Sequence, residues 1–433
     1  MGRLGPWSAT PRLAAAVSGG GDSLALAVLA ADWVAAHGGT LLALIVDHGL
    51  RPGSAGEAGW TAARLAERGI PARILSLGGL APGPGLPARA RAARYAALAA
   101  ACREAGRLHL LLGHQAMDQA ETWLMRRERG SGPAGLAAMP ALAEQHDLRL
   151  LRPLLGLAPE RLRATLRASG LSWVEDPTNA NTQFLRPRLR AALRLGGPTA
   201  AGAACREAAE AGLRREAAEA ACGAVLARAV TLRPEGFALL PREGVPPAAL
   251  AALLQAIAGA PYPPSADAVA GLADSPRAAT LAGARLLPAA RLGPGWLLVR
   301  EAAAMAPPVP ARPGALWDGR FRLSSRAAPP LGATLGALGD DAARLRRHSP
   351  LPAVVLRTLP AIRLEDALFA VPHLGYPDPR PCCCVPVAFA PTRPASGAPF
   401  QPGEQTMAAM PGNVTGGEGH DRGCEETRKN LCC

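Results

Sequence analysis

Residues 12–128 repeat one pattern: a short unbroken apolar run, a polar or glycine-rich cluster, then a stretch with helical spacing. Leu13 to Val17 runs into a glycine cluster ahead of the apolar Leu24 to Val34, and Thr40 to Val46 closes at Asp47 ahead of the amphipathic Glu57 to Arg68. A short run around Ile74 precedes the Arg/Ala-rich Pro87 to Ala105, and Leu108 to Leu112 precedes Asp118 to Glu128. Strands that are apolar on both faces belong in a parallel sheet covered by helices on both sides. The rhythm restricts this part of the chain to an α/β domain with a doubly wound parallel sheet.

Ligands of such sheets sit beyond the carboxyl ends of the strands. Three polar clusters fall there: Ser18 to Ser23, Asp47 to Arg51, and Gly113 to Glu121. Their convergence builds one composite site from three loops. Ser18-Gly19-Gly20-Gly21-Asp22-Ser23 lies between a strand and a helix, where glycines let backbone N–H groups approach an anion and the helix start adds its positive dipole end. The serines can donate to phosphate oxygens, and Asp22 can accept from the loop or help hold a metal. Asp118 and Glu121, at i and i+3, share one helical face.

Composition removes several alternatives. Lys429 is the only lysine, so the body of the protein has neither a Walker A loop, nor the phosphate-pairing lysine of a protein kinase, nor a Schiff-base lysine. The formal net charge of +13 favours a polyanionic partner, nucleic acid before membrane surface. No unbroken apolar stretch of about 18 residues is present, so no membrane span is expected. The N-terminus shows no secretory signal pattern, and a cytoplasmic location is expected. Cys102, Cys205 and Cys222 stand singly, while Cys382, Cys383, Cys384, Cys424, Cys432 and Cys433 crowd the C-terminal stretch. No pair in the body has zinc-site or redox-dithiol spacing.

The length of 433 residues predicts two or three domains. Residues 1–195 form the α/β domain, 196–230 a helical linker rich in Ala, Glu and Arg, 231–310 a small α+β middle domain, and 311–376 a second small α+β domain. Phe321 to Leu323, Val354 to Leu356 and Ala367 to Val371 look strand-like in the last of these, and Asp340 to Arg347 helical. Residues 377–433 are Pro-, Gly- and Cys-rich and read as a disordered tail.

The glycine string resembles the SGGxDS signature of the PP-loop ATP pyrophosphatases. Val46-Asp47-His48-Gly49-Leu50-Arg51-Pro52 resembles the VDHGLR stretch of the tRNA(Ile)-lysidine synthetase family, and Gly113-His114-Gln115-Ala116-Met117-Asp118-Gln119-Ala120-Glu121-Thr122 its GHHxxDQAET stretch. Arg129-Gly130-Ser131-Gly132, Trp173-Val174-Glu175-Asp176-Pro177-Thr178-Asn179 and Phe184-Leu185-Arg186 also resemble segments of that family. The likeness covers residues 12–195 and continues through Trp317-Asp318-Gly319 and Pro372-His373-Leu374-Gly375-Tyr376. Gln115 replaces a frequent His, Met117 the first Asp of a pair, and Pro187 a frequent Asn.

The resemblance implies that ATP adenylates the C2 carbonyl oxygen of the wobble cytidine of a tRNA(Ile) with a CAU anticodon, releasing pyrophosphate, and that the ε-amine of L-lysine then attacks C2 and displaces AMP. It implies ATP on Ser18, Gly19, Gly20, Gly21, Asp22, Ser23 and His114, and lysine and Mg2+ on Asp47, Asp118 and Glu121, with Asp118 as the metal ligand. Arg51, Arg129, Arg186 and Arg190 are the candidates for tRNA phosphates; a homodimer stays open. Plainer roles stand beside these: a strand-end turn acid for Asp47, favourable acids at a helix start for Asp118 and Glu121, a structural histidine for His114, solvated surface for the arginines. Trp173 reads as core and Glu175-Asp176-Pro177 as a turn. The rival functions are a PP-loop tRNA thiolation enzyme, opposed by the isolated cysteines, a catalytically lapsed tRNA-binding protein, and a plain ATP-binding module.

Overall fold

The computed structural model describes residues 1–50, 53–78, 81, 83–145, 147–175, 185–195, 197–377 and 385–403. The first sheet consists of β1 (Arg12–Val17), β2 (Thr40–Asp47), β3 (Ala72–Ser76), β4 (His109–Leu112), β5 (Leu142–Glu144) and β6 (Arg149–Leu151). Their order is β3-β2-β1-β4-β6-β5, and every neighbouring pair is parallel except the edge pair β5–β6. Helices α1 (Gly21–Ala36), α2 (Ser54–Ala66), α3 (Leu86–Glu104), α4 (Ala116–Glu128), α5 (Pro133–Leu136) and α6 (Pro159–Ala168) connect and cover it.

The two faces of β1 show why the strand is apolar throughout. Leu13, Ala15 and Val17 pack with Leu24 and Leu26 of α1, Leu65 of α2 and Leu162 and Leu166 of α6. Ala14 and Ala16 face the other way, onto Leu98, Ala101 and Cys102 of α3. Each fully buried leucine contributes about 1.5–3 kcal/mol by leaving water. The sheet is doubly wound. From β1 the chain builds outward to β2 and β3, then returns to place β4 on the opposite side of β1. The crevice beyond the carboxyl ends of β1 and β4 is therefore the topological switch point.

Beyond the sheet, α7 (Leu185–Leu195) and α8 (Gly197–Ala229) pack on α4 through Ala120, Trp123, Leu193, Ala204 and Ala208. The 33 residues of α8 span about 50 Å at 1.5 Å per residue. A five-stranded antiparallel sheet follows, in the order Thr231–Arg233, Phe237–Leu240, Trp296–Arg300, Ala284–Pro288, Ala279–Leu281, backed by the helices Pro247–Ala258 and Ala266–Asp274. The C-terminal region holds a four-stranded sheet (Val309–Pro310, Thr334–Ala337, Pro360–Leu364, Ala367–Ala370) and a three-stranded one (Leu316–Trp317, Phe321–Leu323, Val387–Phe389).

Two expectations need correction. Val354 to Leu356 is not a strand but part of the helical turn Ala353–Leu356, with Val355 and Leu356 buried; a three-residue apolar run has no period by which to tell the two apart. Residues 385–403, read as disordered, are folded. Val387–Phe389 pairs with Phe321–Leu323, and Phe400 is buried against Ala137 and Ala211. The expectation for 378–384 and 404–433, including the Cys382–Cys384 triplet, lies outside the described residues. Among the described residues no helix is long and apolar enough to cross a membrane.

Candidate active site

The loop after β1 is shaped from within. The Ser23 hydroxyl donates to the Gly20 carbonyl at 2.9 Å and accepts the Ser18 N–H at 3.1 Å, so the 3.2 Å contact between the two hydroxyls is donated by Ser18. Both serines thus hold the loop, leaving its backbone N–H groups and the start of α1, which no side chain caps, as the anion-facing donors. Gly19 has φ +84°, and a Cβ there would lie 2.5 Å from Thr61 Oγ1. Its carbonyl accepts the Val174 N–H at 3.0 Å, and Trp173 lies against Gly21, with its indole N–H donating to Glu175 at 2.8 Å. Trp173 is half-buried and joins the core cluster of α1. Asp176 and Pro177 lie outside the described residues.

At the end of β4, Gly113 packs so closely on α1 that a Cβ would sit 3.1 Å from Ser23 Cα. Half-buried His114 follows, and then a reciprocal cap opens α4. The Gln115 side chain accepts the Met117 N–H at 2.5 Å, while Asp118 Oδ2 accepts the Gln115 N–H at 3.0 Å. Gln115 also hydrogen-bonds to Asp22, tying the start of α4 to that of α1. Met117 packs in the apolar cluster with Ala120 and Trp123.

Asp22, Asp118, Glu121 and Arg190 form one electrostatic group. Arg190, from α7, donates through Nε to Glu121 at 2.5 Å and lies 3.5 Å from Asp118 Oδ1. Glu121 is 1% exposed. Burial, and then the Asp118 carboxylate, raise the pKa of Asp22; Arg163 on α6, Gln115 and Arg190 pull it back. Burial works against the charge of Arg190, but Glu121, Asp118 and Asp22 outweigh it and raise its pKa. Three carboxylates stand against the two guanidinium groups of Arg163 and Arg190, a balance that accommodates one further cation. Asp22 and Asp118 offer adjacent hard oxygen donors, and such a pair fits Mg2+, which takes one or two carboxylates together with phosphate oxygens. Among the described residues no group of three or more His, Cys, Asp or Glu could cage a metal by itself.

The end of β2 is held by its own local bonds. Asp47 has its pKa lowered by hydrogen bonds from Ser54 and then from the Gly49 N–H, the latter at 3.0 Å. His48 has its pKa lowered by burial and then by Arg94 of α3, so its imidazole is neutral at neutral pH. Arg129 is exposed at the end of α4. Arg186 falls in α7 but its side chain is outside the described residues, as is Arg51. Arg190, read as a phosphate contact, pairs here with Glu121 and Asp118. Sequence reasoning missed Arg163, Arg94, His48 and Gln115 as neighbours of the site. Only His48 and Gln115 carried a signal, by lying inside the polar clusters.

The cysteines bear on thiolation. Burial pushes the thiols of Cys102 and Cys205 up to about 11. Together with Cys222 they lie in three different clusters, beneath α3, between α4 and α8, and against the middle sheet. None is a nucleophile poised at the crevice.

The PP-loop domain family model matches residues 4–195. A tRNA(Ile)-lysidine synthase of Bradyrhizobium sp. strain BTAi1 is 49% identical over 188 residues, 43% of this chain and 52% of that protein. This chain thus spans about half the length of such curated relatives. Others match further: the tRNA(Ile)-lysidine synthase of Caulobacter vibrioides is 39% identical over 337 residues, 74% of this chain and 76% of that protein. That of Mesorhizobium japonicum is 37% identical over 394 residues, 85% of this chain and 84% of that protein.

Proposed function

This chain belongs to the tRNA(Ile)-lysidine synthase family, and from that premise we propose that it ligates L-lysine to C2 of the wobble cytidine of a tRNA(Ile) with a CAU anticodon, releasing pyrophosphate and then AMP. The observation that carries the reading is the meeting of the glycine loop of α1 with the carboxylate pair of α4 at the switch point of the sheet. The C2 oxygen of cytosine is a poor leaving group, so it must be activated before an amine can displace it.

Gly19, Gly20 and Gly21 direct backbone N–H groups, and α1 its positive end, at the phosphates of ATP. His114 orients the nucleotide from the end of β4. Asp22 and Asp118 would hold Mg2+, which when bound neutralises charge on the phosphates. Asp118 and Glu121 hold the ε-ammonium of lysine, in the position where they now hold the guanidinium of Arg190, and take up the proton that must leave before the amine attacks. Asp47, kept ionised by Ser54 and Gly49, supplies a third acid on the β2 side. Arg51, Arg129 and Arg186 contact tRNA phosphates, and the domains at 231–310 and 311–376 extend the tRNA surface, since one anticodon must be chosen by reading splayed loop bases. The site is read as cytoplasmic, with a homodimer compatible.

The test is transfer of labelled lysine into a tRNA(Ile) carrying a CAU anticodon, with ATP and Mg2+. Label in that tRNA, and none in the methionine tRNA with the same anticodon, supports the assignment. ATP consumption with sulfur rather than lysine entering the tRNA would move it to thiolation.

A further inference from the structure

The segment 385–403 runs back from the C-terminal sheets onto the first domain, and its end meets the structure behind the carboxylate pair. Its strand Val387–Phe389 continues through the bonds Ala390 N–H to Arg320 O at 2.7 Å and Thr392 N–H to Gly319 O at 3.0 Å. It then follows α8, with Ala395 against the middle core, to Phe400. There the Phe400 N–H donates to Glu219 at 2.7 Å, Arg215 donates to the same carboxylate at 2.7 Å, and the Arg215 guanidinium lies 4.7 Å over the Phe400 ring. The Gln401 carbonyl accepts the Ala141 N–H at 2.7 Å.

Residues 134–141 are thereby clamped from two sides. On one side are Phe400, packed on Ala137, the Gln401 carbonyl, and Arg215, which donates to Ala134 O at 3.2 Å. On the other is α4. Arg126 donates to Gly135 O and Ala138 O, both at 2.7 Å, and Gln119 exchanges two bonds with the Met139 backbone at 2.8 and 2.9 Å. Gln119 lies between Asp118 and Glu121 on that helix. Ala138 sits at φ +52°, a conformation costly for alanine that persists where its surroundings over-determine it.

We propose that Phe400 is a positioning residue for the Asp118–Glu121 pair, acting through the Ala137–Ala141 segment and Gln119; this rests on the reading of that pair as the lysine-holding acids. Its ring keeps the clamped segment in its strained course, and the segment keeps the first turns of α4 in place. The glycine loop of α1 has its own internal bonds and meets this chain of contacts only at the start of α4, through Gln115 and Asp118 on Asp22.

The test is steady-state kinetics on the full chain with Phe400→Ala and, independently, Gly212→Val. A Cβ at Gly212 of α8 would lie 3.0 Å from both Phe400 and Pro402, so the second variant lifts the segment without touching α4. Both variants should raise the lysine KM about ten-fold, the scale on which sub-ångström misplacement acts. The ATP KM should move much less than the lysine KM, the tRNA affinity should stay unchanged, and hydrogen exchange over residues 134–141 should quicken. Phe400→Leu should restore the lysine KM. Equal shifts in all three constants, or an unmoved lysine KM, would overturn the positioning role. Glu121→Gln separates the two layers. If it leaves the lysine KM unaltered, the reading of the pair falls and the positioning role with it. If it raises that KM while the Phe400 and Gly212 variants do not, the positioning role alone falls.

Discussion

Gly19→Ala perturbs the phosphate-facing loop at the one position where both backbone and space require glycine. At φ +84° an L side chain costs about 1–2 kcal/mol. The new Cβ would also stand 2.5 Å from Thr61 Oγ1, well inside contact distance. Thr61 is fully buried, and its hydroxyl donates to Glu57 O at 2.7 Å. Moving it away forfeits that bond, worth about 1 kcal/mol. Together these come to about 2–3 kcal/mol, and where the loop absorbs the strain ATP binding weakens about 30- to 150-fold. Titration calorimetry with ATP, beside a thermal melt, measures how the cost divides between binding and folding. Gly19→Ala with Thr61→Ala removes the clash but keeps the dihedral cost, since the nearest remaining Thr61 atom is 3.7 Å away; it should recover part of the loss. An alanine variant that binds ATP and melts like the parent would refute the reasoning.

The remaining expectations concern charge and burial. Asp318 accepts from Arg300 at 2.9 and 3.0 Å, from Arg320 at 2.7 Å and from the Ala306 N–H at 2.9 Å. Asn tolerates its positive φ, so Asp318→Asn isolates the charge; stranding two buried guanidinium groups should cost about 3–5 kcal/mol in urea unfolding, and an unchanged midpoint would contradict this. Burial and Asp118 raise the pKa of Asp22, so in the window between its unfolded and raised values the native state binds more protons, and stability falls as pH rises. Asp22→Asn should therefore melt at a higher temperature than the parent at neutral pH while losing ATP turnover, and a lower melting temperature contradicts the sign. With thiols near 11, Cys102 and Cys205 should resist alkylation at pH 8 until the chain unfolds, as peptide mass mapping would read; modification as fast as in urea would show the burial to be wrong.

What was legible in the sequence is what depends on local pattern. The runs of β1, β2 and β4 and the polar clusters at their ends mark the crevice directly, because the middle of a strand buried on both faces is apolar and its polar residues fall at its ends. Arg190 was not legible as a partner of Glu121. In a chain whose positive charge is almost all arginine, one arginine in a basic helix looks like another, and its ion pair exists only once α7 docks on α4. The same holds for Arg163 and Arg94. Val387–Phe389 lies in a proline-rich stretch, too short to carry a period, and becomes a strand only because Phe321–Leu323 offers an edge. Phe400 stands alone between Pro399 and Gln401 with no apolar run around it, and its burial depends on the gap left by Gly212 on a distant helix.

The measurement that bears most directly on the central claim is the order of product release, followed in one reaction with ATP, Mg2+ and a CAU-anticodon tRNA(Ile). The account predicts pyrophosphate release that needs the tRNA but not lysine, then AMP release that begins when lysine is added, with label from lysine appearing in the tRNA. Pyrophosphate released with lysine in the absence of tRNA, or AMP released without lysine entering the tRNA, would contradict it.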